Sequence, residues 1–346
     1  MNKELLDLYT DYLISSFSYT TATGLSSMLG GTISHDKVTR FLWEKDFESK
    51  DLWELVKPMV RDTEEEDGVL SFDDSIEEKR YTDQNEIITW HFDHTVGRSV
   101  KWVNFLTGLY SNSQANIPVT LHIIKKDTPF IDPKTKKEVM VSAKTKNEIM
   151  REMFLQSLKN GLKFMYVLSD IWFGCSETMK LIKEKNKHFI FAVKSNRTVA
   201  FKKGGPFKKI KDLEFQDKTP VEVYLKGTNF PVLLVKQVFT NKDGSIGELY
   251  LACSDITLEY DKITQIYHKR WNIEVYHKSL KSNTGFPKSP SKTVRTQNNH
   301  FFASVFAFVK LESISMKTKT NHFALKSKIY IKALQTSFSA LRELSA

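Results

Sequence analysis

The sequence predicts an α/β protein, with a mixed sheet that carries a β-rich insertion and follows a small helical segment. Three observations support this. Apolar runs that end at Asp73 and Asp170 are followed by alternating helix and strand patterns. Leu5, Leu6, Tyr9, Tyr12 and Leu13 recur at helical spacing near the N-terminus. Residues 197–258 then break the alternation with three β-type runs.

A chain of 346 residues is long enough for two domains, or for one domain with an insertion. Its 40% hydrophobic and 27% charged residues fit a folded soluble protein. No apolar run reaches the roughly 18 residues of a membrane span. The opening Met1-Asn2-Lys3-Glu4-Leu5-Leu6-Asp7 lacks a signal-peptide pattern. A cytoplasmic, nucleoid-associated protein is therefore expected. Cys175 and Cys253 are the only cysteines, which argues against a disulfide framework or a cysteine zinc site. With 51 basic and 41 acidic residues the net charge is +10, which favours a polyanionic partner without identifying it.

Residues 1–62 read as helices and are a DNA-binding candidate. Thr21 to Leu29, the Gly30-Gly31 turn and a helix capped by Ser34 have the outline of a helix-turn-helix. Any small helical bundle has such turns. An acidic link, Thr63-Glu64-Glu65-Glu66-Asp67-Gly68, leads into the predicted catalytic domain, residues 63–320. Gly68 to Asp73 is its first strand. Residues 100–110 and 117–124 read as a strand pair, followed by a polar, lysine-rich loop over 125–145. An amphipathic helix over 146–163 places Ile149, Met150, Met153, Phe154 and Leu158 on one side. Next come a buried strand over 164–170, a helix over 177–185 and a strand over 189–194. Within the insertion, Asn241-Lys242-Asp243-Gly244 is a hairpin signal. Residues 261–281 then read as one long helix, residues 300–311 as an apolar helix, and residues 321–346 as a basic helical tail.

The long helix contains the string Tyr267-x2-Arg270-x3-Glu274-x6-Lys281. At about 100° per residue, Arg270, Glu274 and Lys281 fall at about −60°, −20° and −40° from Tyr267, on one narrow face. A solvated stripe with an Arg270–Glu274 ion pair would have the same spacing. A phosphate-handling face would combine a metal-binding glutamate with flanking cations. Asp73 and Asp170 each end a strand-like run, where the loops of a mixed sheet carry function. Two such aspartates and a helical glutamate form a set of hard oxygen ligands, suited to Mg²⁺ or Mn²⁺. Two ions about 4 Å apart would serve phosphoryl transfer.

Two competing constellations are weaker. His91-Phe92-Asp93-His94 offers transition-metal ligands, with no further histidine close in sequence. Ser26, Ser27, His35 and Asp36 are triad residue types without a nucleophile elbow. Phosphate-binding loops and dinucleotide fingerprints are absent from the sequence, so ATP and NAD chemistry have no support.

These residues resemble the DDE transposases of bacterial insertion sequences, in the branch marked by a Tyr-x2-Arg-x3-Glu-x6-Lys signature. Tyr267, Arg270, Glu274 and Lys281 match it at every spacing. Phe72-Asp73-Asp74-Ser75 resembles the family's first-aspartate strand and Leu168-Ser169-Asp170-Ile171-Trp172-Phe173 its second. Lys194-Ser195-Asn196-Arg197 resembles the lysine-containing strand that follows. The likeness spans about residues 65–320. It implies an RNase H-like core in which Asp73, Asp170 and Glu274 hold metal. It also implies cut-and-paste transposition, often through a DNA hairpin. The partners would be transposon terminal inverted repeats and target DNA, with a dimer in the DNA complex. Arg270 and Lys281 would hold terminal phosphates, and Tyr267 a phosphate of the hairpin region.

Asp74 directly follows Asp73, and adjacent strand residues face opposite ways, so only one should reach the metal. The Asp-x-Ser spacing favours Asp73. Trp271, about 40° from Tyr267, either braces a flipped base or packs inside. An active transposase is the leading expectation. A transposase-derived DNA-binding protein without cleavage and a simple metal nuclease of the same core are the alternatives.

Overall fold

A computed structural model describes residues 1–79, 82–93, 97–216 and 218–345, without the side chains of 91–93. The His91–His94 constellation therefore lies outside the described residues in its side chains. Four helices open the chain: α1 (Lys3–Ser15), α2 (Ala22–Met28), α3 (His35–Trp43) and α4 (Ser49–Thr63). The predicted cap of α3 is present, with the Ser34 hydroxyl accepting from Lys37 N at 3.3 Å.

Strands β1 (Val69–Glu78), β2 (Ile88–Asp93), β3 (Arg98–Ser111) and β4 (Asn116–Ile123) follow. β5 (Thr128–Ile131) and β6 (Glu138–Val141) form a separate two-stranded hairpin where a plain loop was expected. Then come α5 (Lys146–Lys159), β7 (Tyr166–Ser169), α6 (Ser176–Glu184) and β8 (His188–Val193). Helix α5 starts where Thr145 and Glu148 form a capping box.

The central strands lie in the order β4-β3-β1-β7-β8. β1, β3 and β4 form an antiparallel meander, whereas β7 and β8 run parallel to β1. That mixed arrangement is RNase H-like. β2 pairs with the first half of β3, beside β4. Gly108 allows close packing at the β3–β4 irregularity, since a Cβ there would run into the Phe72 ring and the Thr120 hydroxyl. Phe72 is fully buried, which contributes about 2–3 kcal/mol relative to exposure.

The insertion supplies β9 (Thr198–Ala200), β10 (Lys208–Lys209), β11 (Val221–Leu225), β12 (Val232–Thr240) and β13 (Ile246–Cys253). β13 pairs antiparallel with β8, so the insertion extends the main sheet. The expected turn joins β12 to β13, with Asn241 N donating to Ser245 O at 2.8 Å.

The chain closes with α7 (Tyr260–His268), α8 (Trp271–Asn283), α9 (Val294–Thr318) and α10 (His322–Leu344). Helices cover both faces of the sheet. On β8, Phe189 and Phe191 share a core with Met179 and Ile182 of α6, while Ile190 and Ala192 pack with Ile263 and Ile266 of α7. The N-terminal helices share the larger core with α8 and α9. Asn299 in α9 fastens them, accepting from Phe47 N at 2.8 Å and donating to the carbonyls of Leu42 and Lys45.

Asn299→Ala leaves two buried backbone groups and the part-buried Lys45 carbonyl without this partner and should cost about 3 kcal/mol. Urea unfolding should show a lower midpoint with an unchanged slope.

Candidate active site

Strand register brings the first two acids together. β1 and β7 are parallel neighbours with Phe72 opposite Ser169, so Asp73 and Asp170 follow at one level. β7 stops there while β1 runs on to Glu78. The two-residue period of β1 puts Val69, Asp73, Ser75 and Glu77 on the face covered by α7 and α8. Asp74 points the other way. Its Oδ2 accepts from Lys146 Nζ at 2.6 Å and from Asn104 Nδ2 at 3.3 Å. The structure thus places Asp73 beside Glu274, and Asp74 against α5.

The expected single helix over 261–281 is two helices. The α-helical bonding is interrupted at Lys269 and Arg270, although both keep right-handed helical backbone angles. The break consists of i→i+3 bonds: Lys269 N to Ile266 O, Arg270 N to Tyr267 O, Asn272 N to Lys269 O and Ile273 N to Arg270 O. The two halves have different apolar seats. Ile263 and Ile266 join the β7–β8 side, while Ile273, Tyr276 and Leu280 join the core shared with α9. The straight-helix angles therefore do not carry across from Tyr267 to Glu274.

The break still delivers the string's polar groups to one place. Arg270 Nη1 lies 3.3 Å from Glu274 Oε1 and 3.7 Å from Asp73 Oδ2, bridging the two carboxylates. The Tyr267 hydroxyl donates to Ser169 O at 3.4 Å, directly before Asp170. The Arg270 guanidinium stands 5.9 Å from the centre of the Tyr267 ring. Lys281 sits farther along α8, where burial lowers its pKa against the opposing pull of Glu77 and Glu274. Trp271 is 59% exposed, so the alternative of a buried packing tryptophan is overturned.

Asp73 is 8% exposed, and its pKa is pushed up to about 8. Burial is the main cause, followed by the charges of Glu274 and Asp170, with Arg270 opposing. Burial also raises Asp170, against a hydrogen bond from Trp172 N to its Oδ1 at 2.9 Å. Beside Asp170, Trp172 is 69% exposed with Lys194 Nζ 4.6 Å from its ring centre. An open groove of about 520 Å³ is lined there by Trp172, Lys194, Asn196, Arg197 and Lys226. Its cationic walls suit a polyanion.

One site residue was not anticipated from the sequence. A ring nitrogen of His277 and one carboxylate oxygen each from Asp73 and Glu274 all lie within 4.8 Å of one another. Asp170 stands outside this group. Burial, with Lys281 and Arg270 nearby, pushes the His277 pKa down to about 3, so the ring is neutral. The spacing Glu274-x2-His277 was the available signal, because residues i and i+3 share a helix face. Crowded carboxylates beside a neutral imidazole fit a divalent cation. By contrast, His35 pairs with its neighbour Asp36 on the surface, away from any such group among the described residues.

Two family models match the chain. One described as DDE superfamily endonuclease covers residues 2–212, and one described as Transposase DDE domain covers residues 131–309. The first includes Asp73 and Asp170, the second Asp170 and Glu274. No curated protein sequence matches. Among solved structures, the NurA nuclease from Sulfolobus solfataricus aligns at 8% identity over 76% of this chain and 92% of its own. The TM-score of that alignment is 0.28.

Asp73 sets a pH dependence for the metal-free protein. Between the ordinary carboxyl value of 3.8 and about 8, the folded form keeps a proton that the unfolded chain has released. Stability from this group therefore falls as pH rises through that window. Melting temperatures in chelator should decline towards pH 8, and Asp73→Asn should flatten that decline.

Proposed function

Because the chain belongs to the DDE endonucleases and transposases, we propose that it is a cut-and-paste DNA transposase of an insertion sequence. We place it in the branch carrying the Tyr-x2-Arg-x3-Glu-x6-Lys signature. The convergence of Asp73 and Glu274 about Arg270, with Asp170 level on the adjacent strand, carries this reading.

Asp73, Asp170 and Glu274 would hold Mg²⁺ or Mn²⁺, as one ion or a pair. When bound, such ions act as Lewis acids on the phosphoryl oxygens of DNA. The remaining roles fall to this chain's own side chains. Arg270 is poised between carboxylates and can turn its guanidinium to a terminal phosphate. Lys281 supplies a second cation along α8. Tyr267, tethered to the end of β7, contacts a phosphate near the hairpin. Trp271, exposed at the start of α8, stacks on a flipped base.

Each chemical step is an in-line attack of an oxygen on phosphorus that expels the opposite oxygen. Water cuts one strand at the transposon end and frees a 3′-hydroxyl. That hydroxyl attacks the other strand to form a hairpin, water reopens it, and the same hydroxyl joins target DNA. Two terminal inverted repeats must be processed together, so a dimer assembles on DNA. Helices α2 and α3 would make further contacts to the repeat.

The test uses duplexes that carry the element's own terminal repeats, with Mg²⁺ or Mn²⁺. The wild type should cut at the repeat end and join the product to target DNA. Asp73→Asn, Asp170→Asn and Glu274→Gln should each reduce cleavage on the order of 100-fold or more, the scale of losing one transition-state-stabilising group. Asp74→Asn should stay within a few-fold. Unchanged cleavage in the first three variants would overturn the site, and cutting without joining would point to a simple nuclease.

A further inference from the structure

We propose that His277 is itself a metal ligand, making the Asp73–Glu274 site a mixed oxygen–nitrogen site that prefers Mn²⁺ to Mg²⁺. The inference rests on the reading of Asp73 and Glu274 as metal ligands and adds a third, chemically different donor.

Position is the first argument. His277 follows Glu274 by three residues on α8, and both reach the same carboxylate of β1 within 4.8 Å. A Glu-x2-His pair on a helix is a known way to present two ligands to one ion.

The second argument is an unmet hydrogen-bonding group. His277 is 5% exposed, and its Nε2 has no hydrogen-bond partner among the described residues. Leaving such a buried group unpaired is unfavourable. Two other buried histidines show the structural alternative. His300 engages the Tyr9 hydroxyl through Nδ1 and the Gly285 and Phe286 carbonyls through Nε2. His322 meets the Ser279 hydroxyl through Nδ1, and its Nε2 lies 2.8 Å from Glu312 as an ion-pair contact rather than a hydrogen bond. His277 has no comparable pair of partners, and one of its ring nitrogens lies within 4.8 Å of the acidic pair instead.

The third argument is preorganisation. The ring lies between Phe105, edge-on at 5.6 Å between centres, and Tyr276 at 5.2 Å. These contacts keep it beside the carboxylates rather than in solvent. Imidazole suits first-row transition ions, whereas Mg²⁺ prefers an all-oxygen shell.

The experiment is pulsed electron paramagnetic resonance on the full-length protein with Mn²⁺, using natural-abundance and ¹⁵N-histidine-labelled protein. The expected result is nitrogen modulation from a coordinated imidazole that changes with the label and vanishes in His277→Gln. Calorimetry of the same variant should show Mn²⁺ binding weakened about 10-fold and Mg²⁺ binding little changed. Bound Mn²⁺ without nitrogen modulation in the wild type would overturn the inference and leave the carboxylate site standing. Modulation that persists in His277→Gln would also overturn it. A wild type that binds no Mn²⁺ would remove both this inference and the metal reading beneath it. The wild-type labelling result decides the matter even if His277→Gln fails to fold.

Discussion

Two carboxylates pressed together at a largely buried strand need a positive charge between them. At about 4 Å, with the effective dielectric of a protein surface, like charges repel by about 4 kcal/mol. Here Asp73 answers in part by retaining a proton, and Arg270 by bridging Asp73 to Glu274. Every major element bears on that arrangement. β1 presents Asp73, its parallel neighbour β7 brings Asp170 level, and α8 sets Glu274 beside Asp73. The N-terminal helices and α9 back α8 through one continuous core, which resists the separation that electrostatics alone would produce.

The parts of this design that depend on local pattern could be read from the chain. The apolar runs before Asp73 and Asp170 are strands, and the Asn241–Gly244 turn joins two more. Arg270 and Glu274 meet as their i,i+4 spacing suggested. Other parts depend on distant partners. Asp73 and Asp74 are neighbours, and their distant partners separate them: Arg270 and Glu274 beside Asp73, Lys146 and Asn104 beside Asp74. The break at Lys269–Arg270 has no glycine or proline to mark it and arises where two helices take different seats. The β5–β6 hairpin escaped notice because Phe130, Ile131, Val139 and Met140 are exposed and leave no alternation of burial to read. His277 lay at a legible spacing, but its burial and its unpaired nitrogen exist only in the folded chain.

The insertion has a structural consequence for the site. β13 pairs with β8, so the β8 edge is covered rather than left open to pair with other chains. Leu233, Val235, Leu251 and Cys253 from β12 and β13 join Val69, Leu168 and Ile190 beneath Ile263 and Ile266 of α7. The inserted strands therefore share the core in which α7 packs. Tyr267 lies in the last turn of that helix and Arg270 follows it, where they meet Ser169 and Asp73. An insertion that looks in sequence like an interruption of the α/β rhythm instead completes the core beneath the helix that carries Tyr267.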